Sequence, residues 1–513
     1  MFASLVQYDK LQNGSDIRGV AIEGAGKEVN LSLEVAKFIA YGFIKLLENK
    51  RNTTAENLKV AVGMDSRLSG PTLKTAVIEG LTDLGCNVYD CSIATTPAMF
   101  MTTVLENYKC DGSIMITASH LPYYYNGLKF FTREGGCEKE DIKNILEEAS
   151  KEENNFSNSK GEVIKVNFIE EYSKILVDMI RSGADAKENY NEPLAGFKII
   201  VDAGNGAGGF FAYKVLKVLG ANIEGSQFTD PDGTFPNHIP NPENKEAMES
   251  IRKAVLTHEA HLGIIFDTDV DRAAIVAACG MEINKNALIA LVSSIILEEH
   301  PNTVIVTDSV TSTGLTKFIT DLGGVHHRFK RGYKNVINES KKLNEDGEES
   351  HLAIETSGHA ALKENHFLDD GAYLIAKILI KMAKLKEERK EISSLIEALK
   401  HPEESEDIRL KIKREGFKAY GDIIISDIKE YVKTVEGLSI ETNNYEGVKI
   451  NCDKDSGDGW LLLRMSLHEP VLSLNVESES LGGVCKILEK IRPFIEKYKD
   501  LDLKVLEKYE VRR

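Results

Sequence analysis

Short apolar runs recur along the chain, each followed by a polar loop, a stretch of helical period and a Leu-Gly pair. The first unit runs from Leu58 to Asp65, turns helical from about Pro71, stops at Leu84-Gly85 and resumes through Val88. The second runs from Phe197 to Asp202, turns helical from about Gly209, stops at Leu219-Gly220 and resumes through Ile223. The third runs from Thr303 to Asp308, turns helical from about Thr313, stops at Leu322-Gly323 and resumes at Val325. Continuous β-branched strands alternating with amphipathic helices predict parallel sheets covered on both faces. Glycine after the last helical leucine predicts a helix C-cap. Each first strand ends in a polar loop, the place where open α/β sheets bind ligands.

After Leu399-Lys-His-Pro402 the pattern changes. An acidic stretch, Glu403 to Asp407, precedes helices and strands that lack the Leu-Gly unit. The expected fold class is therefore α/β, with three similar α/β domains in series plus a C-terminal α+β domain. The boundaries fall at 1–165, 166–285, 286–400 and 401–513. Polar stretches near Ser150 to Gly161 and Lys341 to Ser350 read as a linker and a surface loop.

The length, 513 residues, suits this division, since domains run to about 100–150 residues each. A formal net charge of -17 argues against non-specific nucleic-acid binding, which needs a basic footprint. Local Arg and Lys clusters still permit a small anionic substrate. The most membrane-like stretch, Ala287 to Leu297, is shorter than the ~20 residues a span needs, so no membrane partner is expected. Met1 to Lys10 lacks the regions of a signal peptide. The seven cysteines form no Cys-x-x-Cys pair, which fits reduced thiols in a cytoplasm.

Several loops carry candidate chemistry. The strand Ser113 to Ile116 delivers Thr117-Ala-Ser119-His120 to a turn, with Lys129 of Asn126-Gly-Leu-Lys129 ten residues after the serine. A serine hydroxyl needs activating neighbours, and adjacent cationic groups suit one that carries a phosphate; a plain surface turn is the alternative. Asp267-x-Asp269-x-Asp271-Arg272 follows the apolar strand Leu262 to Phe266. In an extended loop these carboxylates share one side. They predict a hard divalent cation, Mg2+ by preference, with Arg272 on a phosphate. The same loop resembles the nucleophile loop of haloacid dehalogenase-type phosphatases, in which Asp267 would be phosphorylated and Ser119 would have no role. Gly204-x-Gly206-x-x-Gly209, with Glu224 beyond, formally meets the dinucleotide fingerprint, or else makes a tight turn. Glu355-Thr-Ser357-Gly-His359 suits sugar hydroxyls, with His359 available for proton transfer. Arg464-Met-Ser466-Leu-His468-Glu-Pro470 suits an anion.

These motifs, in this order, resemble the α-D-phosphohexomutase superfamily, which includes phosphoglucomutase, phosphomannomutase and phosphoglucosamine mutase. Asp16-Ile-Arg18-Gly19, Asp202-Ala-Gly-Asn-Gly206 and Asp230-Pro-Asp-Gly-Thr-Phe-Pro-Asn237 also look like its signatures, so the glycine motif reads as structural. The resemblance implies three α/β domains and a smaller fourth around a central cleft. It implies interconversion of hexose 1-phosphate and hexose 6-phosphate, of mannose or glucose type, through phosphorylated Ser119 and a hexose 1,6-bisphosphate. Mg2+ would be held by Ser119, Asp267, Asp269 and Asp271. His120, Arg18, Lys129 and His359 would stand near the reacting oxygen. Arg272 and Lys330 would support the phosphoryl group, Glu355, Ser357 and His359 the sugar, and Arg464 and Ser466 the distal phosphate. A monomer or homodimer is expected.

The chain departs from the family at Leu121, where Asn is usual, and at Leu467-His468, where Gly or Asn followed by Thr is usual. It therefore reads as a divergent branch. A hexose 1,6-bisphosphate synthase, a phosphoglucosamine mutase and a non-catalytic sugar-phosphate-binding paralogue are the alternative functions.

Overall fold

The computed structural model describes residues 7–152, 157, 159–187, 189–466 and 469–509. The chain forms two compact units. Met1–Leu288 with Ser357–Leu395 make the first, and Ile289–Thr356 with Ile396–Arg513 the second.

The first unit opens with an eight-stranded sheet centred on Lys59–Met64. That strand pairs in parallel with Asn87–Ile93 on one side and Gly112–Ile116 on the other. Val60, Val62, Ile114 and Ile116 are fully buried against Ile39, Phe43, Ile44 and Leu47 of the helix Leu33–Arg51. Ser32 caps that helix by accepting from the Val35 amide, and Asn52 ends it in the left-handed region.

The sheet is mixed, not wholly parallel. Gly112–Ile116 runs antiparallel to Tyr125–Thr132, which runs antiparallel to Asp16–Val20. The physical reason is connection length. The link between Ile116 and Tyr125 is too short for a crossover, which takes a dozen residues or more. The second sheet repeats this. Ile199–Asp202 and Leu262–Phe266 are parallel, but Ala273–Ala277 returns antiparallel, with Phe266 opposite Ala273. The aspartate loop is therefore the connection of a hairpin.

In the second unit Val304–Thr307 lies between Val325–Arg328 and Ser350–Ile354, all parallel. The C-terminal portion is α+β. Five antiparallel strands in the order Glu404–Lys411, Val471–Ser478, Gly459–Met465, Val448–Cys452 and Leu438–Ile440 form its sheet. Helices Phe417–Val432 and Gly483–Ile495 share its core. The acidic stretch lies in Glu404–Lys411, an edge strand whose charged residues discourage pairing with another chain.

Two expected elements are corrected. Of the stretch Lys341 to Ser350, only Asp346 to Glu349 is a surface loop. Tyr333–Glu345 is a helix that buries Val336, Ile337 and Ser340, and Ser350 begins a strand. In the second repeat the helix after Gly209 is a 3-10 turn followed by a π-helical turn over Phe211–Leu216. Its following strand shrinks to isolated bridges, Asp202 with Gln227 and Lys198 with Asn222. There the Asn222 side chain accepts from the Glu224 amide and turns the chain. Part of the Ser150 to Gly161 stretch lies outside the described residues.

The Leu-Gly stops hold in all three repeats. Gly85, Gly220 and Gly323 have φ of 88°, 86° and 84°. A Cβ on Gly323 would meet nothing closer than 4.0 Å, so Gly323→Ala tests backbone conformation alone. We expect it to cost about 1 kcal/mol, read as a lower denaturation midpoint, with catalytic activity unchanged.

Candidate active site

The first unit brings Ser119 onto the aspartate loop. Ser119 begins the turn that follows the strand Gly112–Ile116 and adopts φ 50°, a left-handed conformation that is uncommon for serine. Its amide donates to the Thr117 hydroxyl at 2.9 Å, and that hydroxyl donates to Asp65 at 2.7 Å. Ser119 Oγ lies 3.0 Å from Asp267 Oδ2 and accepts from Arg272 Nη2 at 3.0 Å. His120 Nδ1 is 2.7 Å from Arg272 Nη2. A guanidinium only donates, so Nδ1 accepts and the ring proton sits on Nε2.

Asp267, Asp269 and Asp271 are buried, and one carboxylate oxygen from each lies within 4.8 Å of the others. The loop that presents them is not extended. It turns at Val270, with φ 65°. Lys129 Nζ donates to Asp269 Oδ2 at 2.9 Å and to Asp271 Oδ2 at 2.5 Å. Arg272 Nε donates to Asp267 Oδ2 at 3.1 Å. Burial, with the charges of Asp271 and Asp269, pushes the Asp267 carboxyl well above its usual range. Burial also opposes charge on Asp271, but the charge and hydrogen bond of Lys129, with the charge of Arg272, override it and hold that carboxyl below the usual range.

Arg272 stands opposite His359 in an antiparallel bridge. His359 Nε2 is 3.8 Å from Asp271 Oδ1, and Nδ1 is 2.8 Å from the Ser357 hydroxyl. Burial lowers the His359 imidazole to about 3, so it is neutral; His120 is likewise neutral, chiefly through burial. Arg18 donates to Asp16 at 3.0 Å and contributes positive charge at both histidines.

Two cations, Lys129 and Arg272, face three carboxylates. Asp269 Oδ1 and Asp271 Oδ1 are buried with no hydrogen-bond partner. Buried carboxylate oxygens without partners are costly. Together with an all-oxygen donor set they fit a hard divalent cation.

Several supporting residues carry no sequence signal of their own. Thr96 opens the helix Thr96–Val104; its amide donates to Asp269 O at 2.9 Å and its hydroxyl to Asp269 Oδ2. Asn241 accepts from Arg272 Nη1 at 3.2 Å, and Glu243 lies 3.7 Å from the same nitrogen. The glycine motif serves this loop. A Cβ on Gly206 would meet Thr268 O at 2.6 Å, and the Ala207 amide donates to that oxygen. One on Gly209 would meet Thr229 O at 2.0 Å. The helix N-terminus thus abuts the aspartate loop and does not offer the open cradle a dinucleotide needs.

The second unit holds Lys330, Glu355, Arg464 and Ser466. Lys330 is exposed beside Phe329. Glu355 accepts from the Gly332 amide at 2.6 Å. Arg464 is buried, donates from Nε to Asn475 at 3.3 Å and lies 3.8 Å from the Glu446 carboxylate. Glu446 also accepts from the Ser309 hydroxyl and, at 3.1 Å, from the Arg331 amide. Ser466 Oγ accepts from the Glu469 amide at 3.3 Å. Leu467 and His468 lie outside the described residues.

Three family descriptions cover most of the chain. Phosphoglucomutase/phosphomannomutase alpha/beta/alpha domains I, II and III match residues 9–156, 171–280 and 284–401. The chain belongs to the phosphoglucomutase/phosphomannomutase family. A phosphomannomutase/phosphoglucomutase of Pseudomonas syringae pv. tomato is 31% identical over 506 residues, which is 96% of this chain and 97% of the relative. A phosphoglucomutase/phosphomannomutase of Thermococcus kodakarensis is 31% identical over 97% of this chain and 98% of its own length. The crystal structure of a family protein from Burkholderia thailandensis has a TM-score of 0.76 and 26% identity, and the match covers 96% of this chain and 98% of that one. Family membership gives the resemblance its fold of three α/β domains and makes the chain a mutase-type enzyme.

Asp269→Asn removes charge at a carboxylate that also bonds Lys129 and Thr96. It should weaken divalent-cation binding at least about tenfold, measured by calorimetric titration with Mg2+ or Mn2+ on folded protein.

Proposed function

We propose that this chain interconverts hexose 1-phosphates and hexose 6-phosphates, with Ser119 as phosphoryl carrier. The observation that carries this reading is Ser119 Oγ held 3.0 Å from both Asp267 Oδ2 and Arg272 Nη2. A serine poised only for structure has no need of that company. An aspartyl-phosphate mechanism would leave Ser119 without a task.

A phosphate on Ser119 Oγ meets Arg272, which binds its oxygens as a planar fork. The free hydroxyl of a bound hexose monophosphate attacks the phosphorus in line. The new P–O bond forms as the P–Oγ bond breaks; the hydroxyl proton passes to His359, and Ser119 Oγ leaves as an alkoxide held by Arg272 until the reverse step rephosphorylates it and the departing sugar oxygen takes the proton back. Lys129 and Arg18 stabilise charge on the equatorial oxygens. The product is a hexose 1,6-bisphosphate. Its other phosphate then returns to Ser119 by the reverse step, giving the isomeric monophosphate. Catalysis here is positioning and electrostatics. Asp267, Asp269 and Asp271, with an oxygen of the serine phosphate, would hold Mg2+, which neutralises charge on the transferring group.

Glu355, Ser357 and His359 read as the sugar's hydrogen-bond partners, Lys330 as a support for the phosphoryl group, and Arg464 with Ser466 as the grip on the distal phosphate. Glucose and mannose phosphates are the first substrates to consider. The reading includes four domains divided at 1–165, 166–285, 286–400 and 401–513, a monomer or homodimer, and a cytoplasmic location. The location is supported by seven free cysteines and by the absence, among the described residues, of any helix long and apolar enough to cross a membrane.

The test is a mutase assay with the 1-phosphates of glucose, mannose, glucosamine and N-acetylglucosamine, with Mg2+ and a trace of bisphosphate. Conversion of none to its 6-phosphate refutes the proposal. Ser119→Ala should lower kcat by at least about a thousandfold and remove acid-stable phosphate from the protein. Arg464→Met should instead raise KM by about tenfold or more, as loss of one charge-assisted grip on phosphate, in steady-state kinetics.

A further inference from the structure

Arg67 has a side chain the mechanism above does not use. It is 1% exposed, one of the largest fully buried side chains among the described residues. A buried guanidinium must find partners for its N–H groups. These partners come from one place. Nη2 donates to the carbonyls of Ser119 and, at 2.6 Å, Leu121. Nη1 donates to those of Pro122 at 3.0 Å and Tyr125 at 2.9 Å. Four carbonyls of the segment that carries the nucleophilic serine thus converge on one planar group.

Arg67 is itself fixed. Its amide donates to Asp65 Oδ1 at 2.9 Å, and its Nε lies 3.3 Å from Asp65 Oδ2. The Phe235 ring stacks 5.2 Å from the guanidinium carbon. Asp65 also receives the Thr117 hydroxyl that takes the Ser119 amide. The strained backbone at Ser119 is therefore held at its amide through Thr117 and at its carbonyl through Arg67. Both routes meet at Asp65.

We propose that Arg67 is a positioning residue for phosphoryl transfer, setting the backbone from Ser119 to Tyr125 so that Ser119 Oγ stays on Asp267 and Arg272. This rests on the reading of Ser119 as phosphoryl carrier. It accounts for the tolerance of leucine at 121, because the loop is gripped by the carbonyl there and not by the side chain. Lysine cannot replace the arginine. It is a point charge without the rigid fork that spans several carbonyls.

The test is single-turnover transfer of phosphate from glucose 1,6-bisphosphate to Ser119, beside steady-state kinetics, for the unsubstituted enzyme and Arg67→Lys. Folded Arg67→Lys should transfer about a hundredfold more slowly, the order expected for a nucleophile displaced by ~1 Å. KM for hexose 1-phosphate should stay within about threefold. A transfer rate within about threefold of the unsubstituted enzyme overturns the assignment, as does a rise in KM equal to the fall in rate. If Arg67→Lys does not fold, Phe235→Leu carries the same test through the ring that backs the guanidinium. A slower transfer at unchanged KM upholds the role, and an unchanged rate overturns it. Failure of the unsubstituted enzyme to take phosphate onto Ser119 would instead refute the carrier reading on which the role depends.

Discussion

Three buried carboxylates within 4.8 Å of one another are the constraint from which the rest of the first unit follows. A pair of like charges 4 Å apart costs about 4 kcal/mol at an effective dielectric near 20. The fold answers with Lys129 from one antiparallel strand and Arg272 at the end of the aspartate hairpin. It adds the hydroxyl of Thr96 at a helix N-terminus, where the peptide dipoles favour negative charge. Each compensating group is far from Asp269 in sequence, except Arg272. The register of the Tyr125–Thr132 strand against Gly112–Ile116 is what puts Lys129 where the carboxylates need it. The residual negative excess and the two unpartnered carboxylate oxygens suit a divalent cation and, beyond it, a phosphate.

Much of this was legible in the chain. The Leu-Gly stops reflect a local steric rule, and all three glycines adopt the expected left-handed backbone. The aspartate triad was found, although for a geometry that does not hold: its carboxylates converge across a turn, not along an extended loop. Strand direction is not legible in apolar runs, which do not encode it. The length of the connections does, and both the serine loop and the aspartate loop are too short for a crossover. Arg67 and Thr96 were not legible as site residues. Arg67 lies in the polar loop after the first strand, and nothing local tells which carbonyls a buried arginine will meet.

The second repeat departs most from the common pattern, and its strand Ile199–Asp202 pairs with Leu262–Phe266, the strand that leads into the aspartates. Its helix begins with Gly208 and Gly209 packed on Phe266 and Thr229, and Gly206 admits the Thr268 backbone. Regular helix geometry gives way there to 3-10 and π turns. Irregular turns of this kind concentrate at functional sites. Close approach of two backbones has been favoured over helical regularity, and the beneficiary is the loop that bears the charge.

Ser119 and Val270 are both left-handed without being glycine. For β-branched valine that conformation is an outlier, and such backbone persists only where its surroundings over-determine it. Val270 is fully buried, and its carbonyl accepts from the Gly371 amide at 3.0 Å. A Cβ on Gly371 would lie 2.8 Å from Arg272 O, so the approach requires glycine. Ser119 has its counterpart support in Thr117 and Arg67. Each strained residue is propped by a segment distant in sequence, Val270 by Gly371 and Ser119 by Arg67. A centre whose donors already stand in place needs no rearrangement when charge develops, which is where electrostatic catalysis gains its advantage. The stability forgone at these two residues is the counterpart of that preorganisation, and the burial of the surrounding strands makes it tolerable.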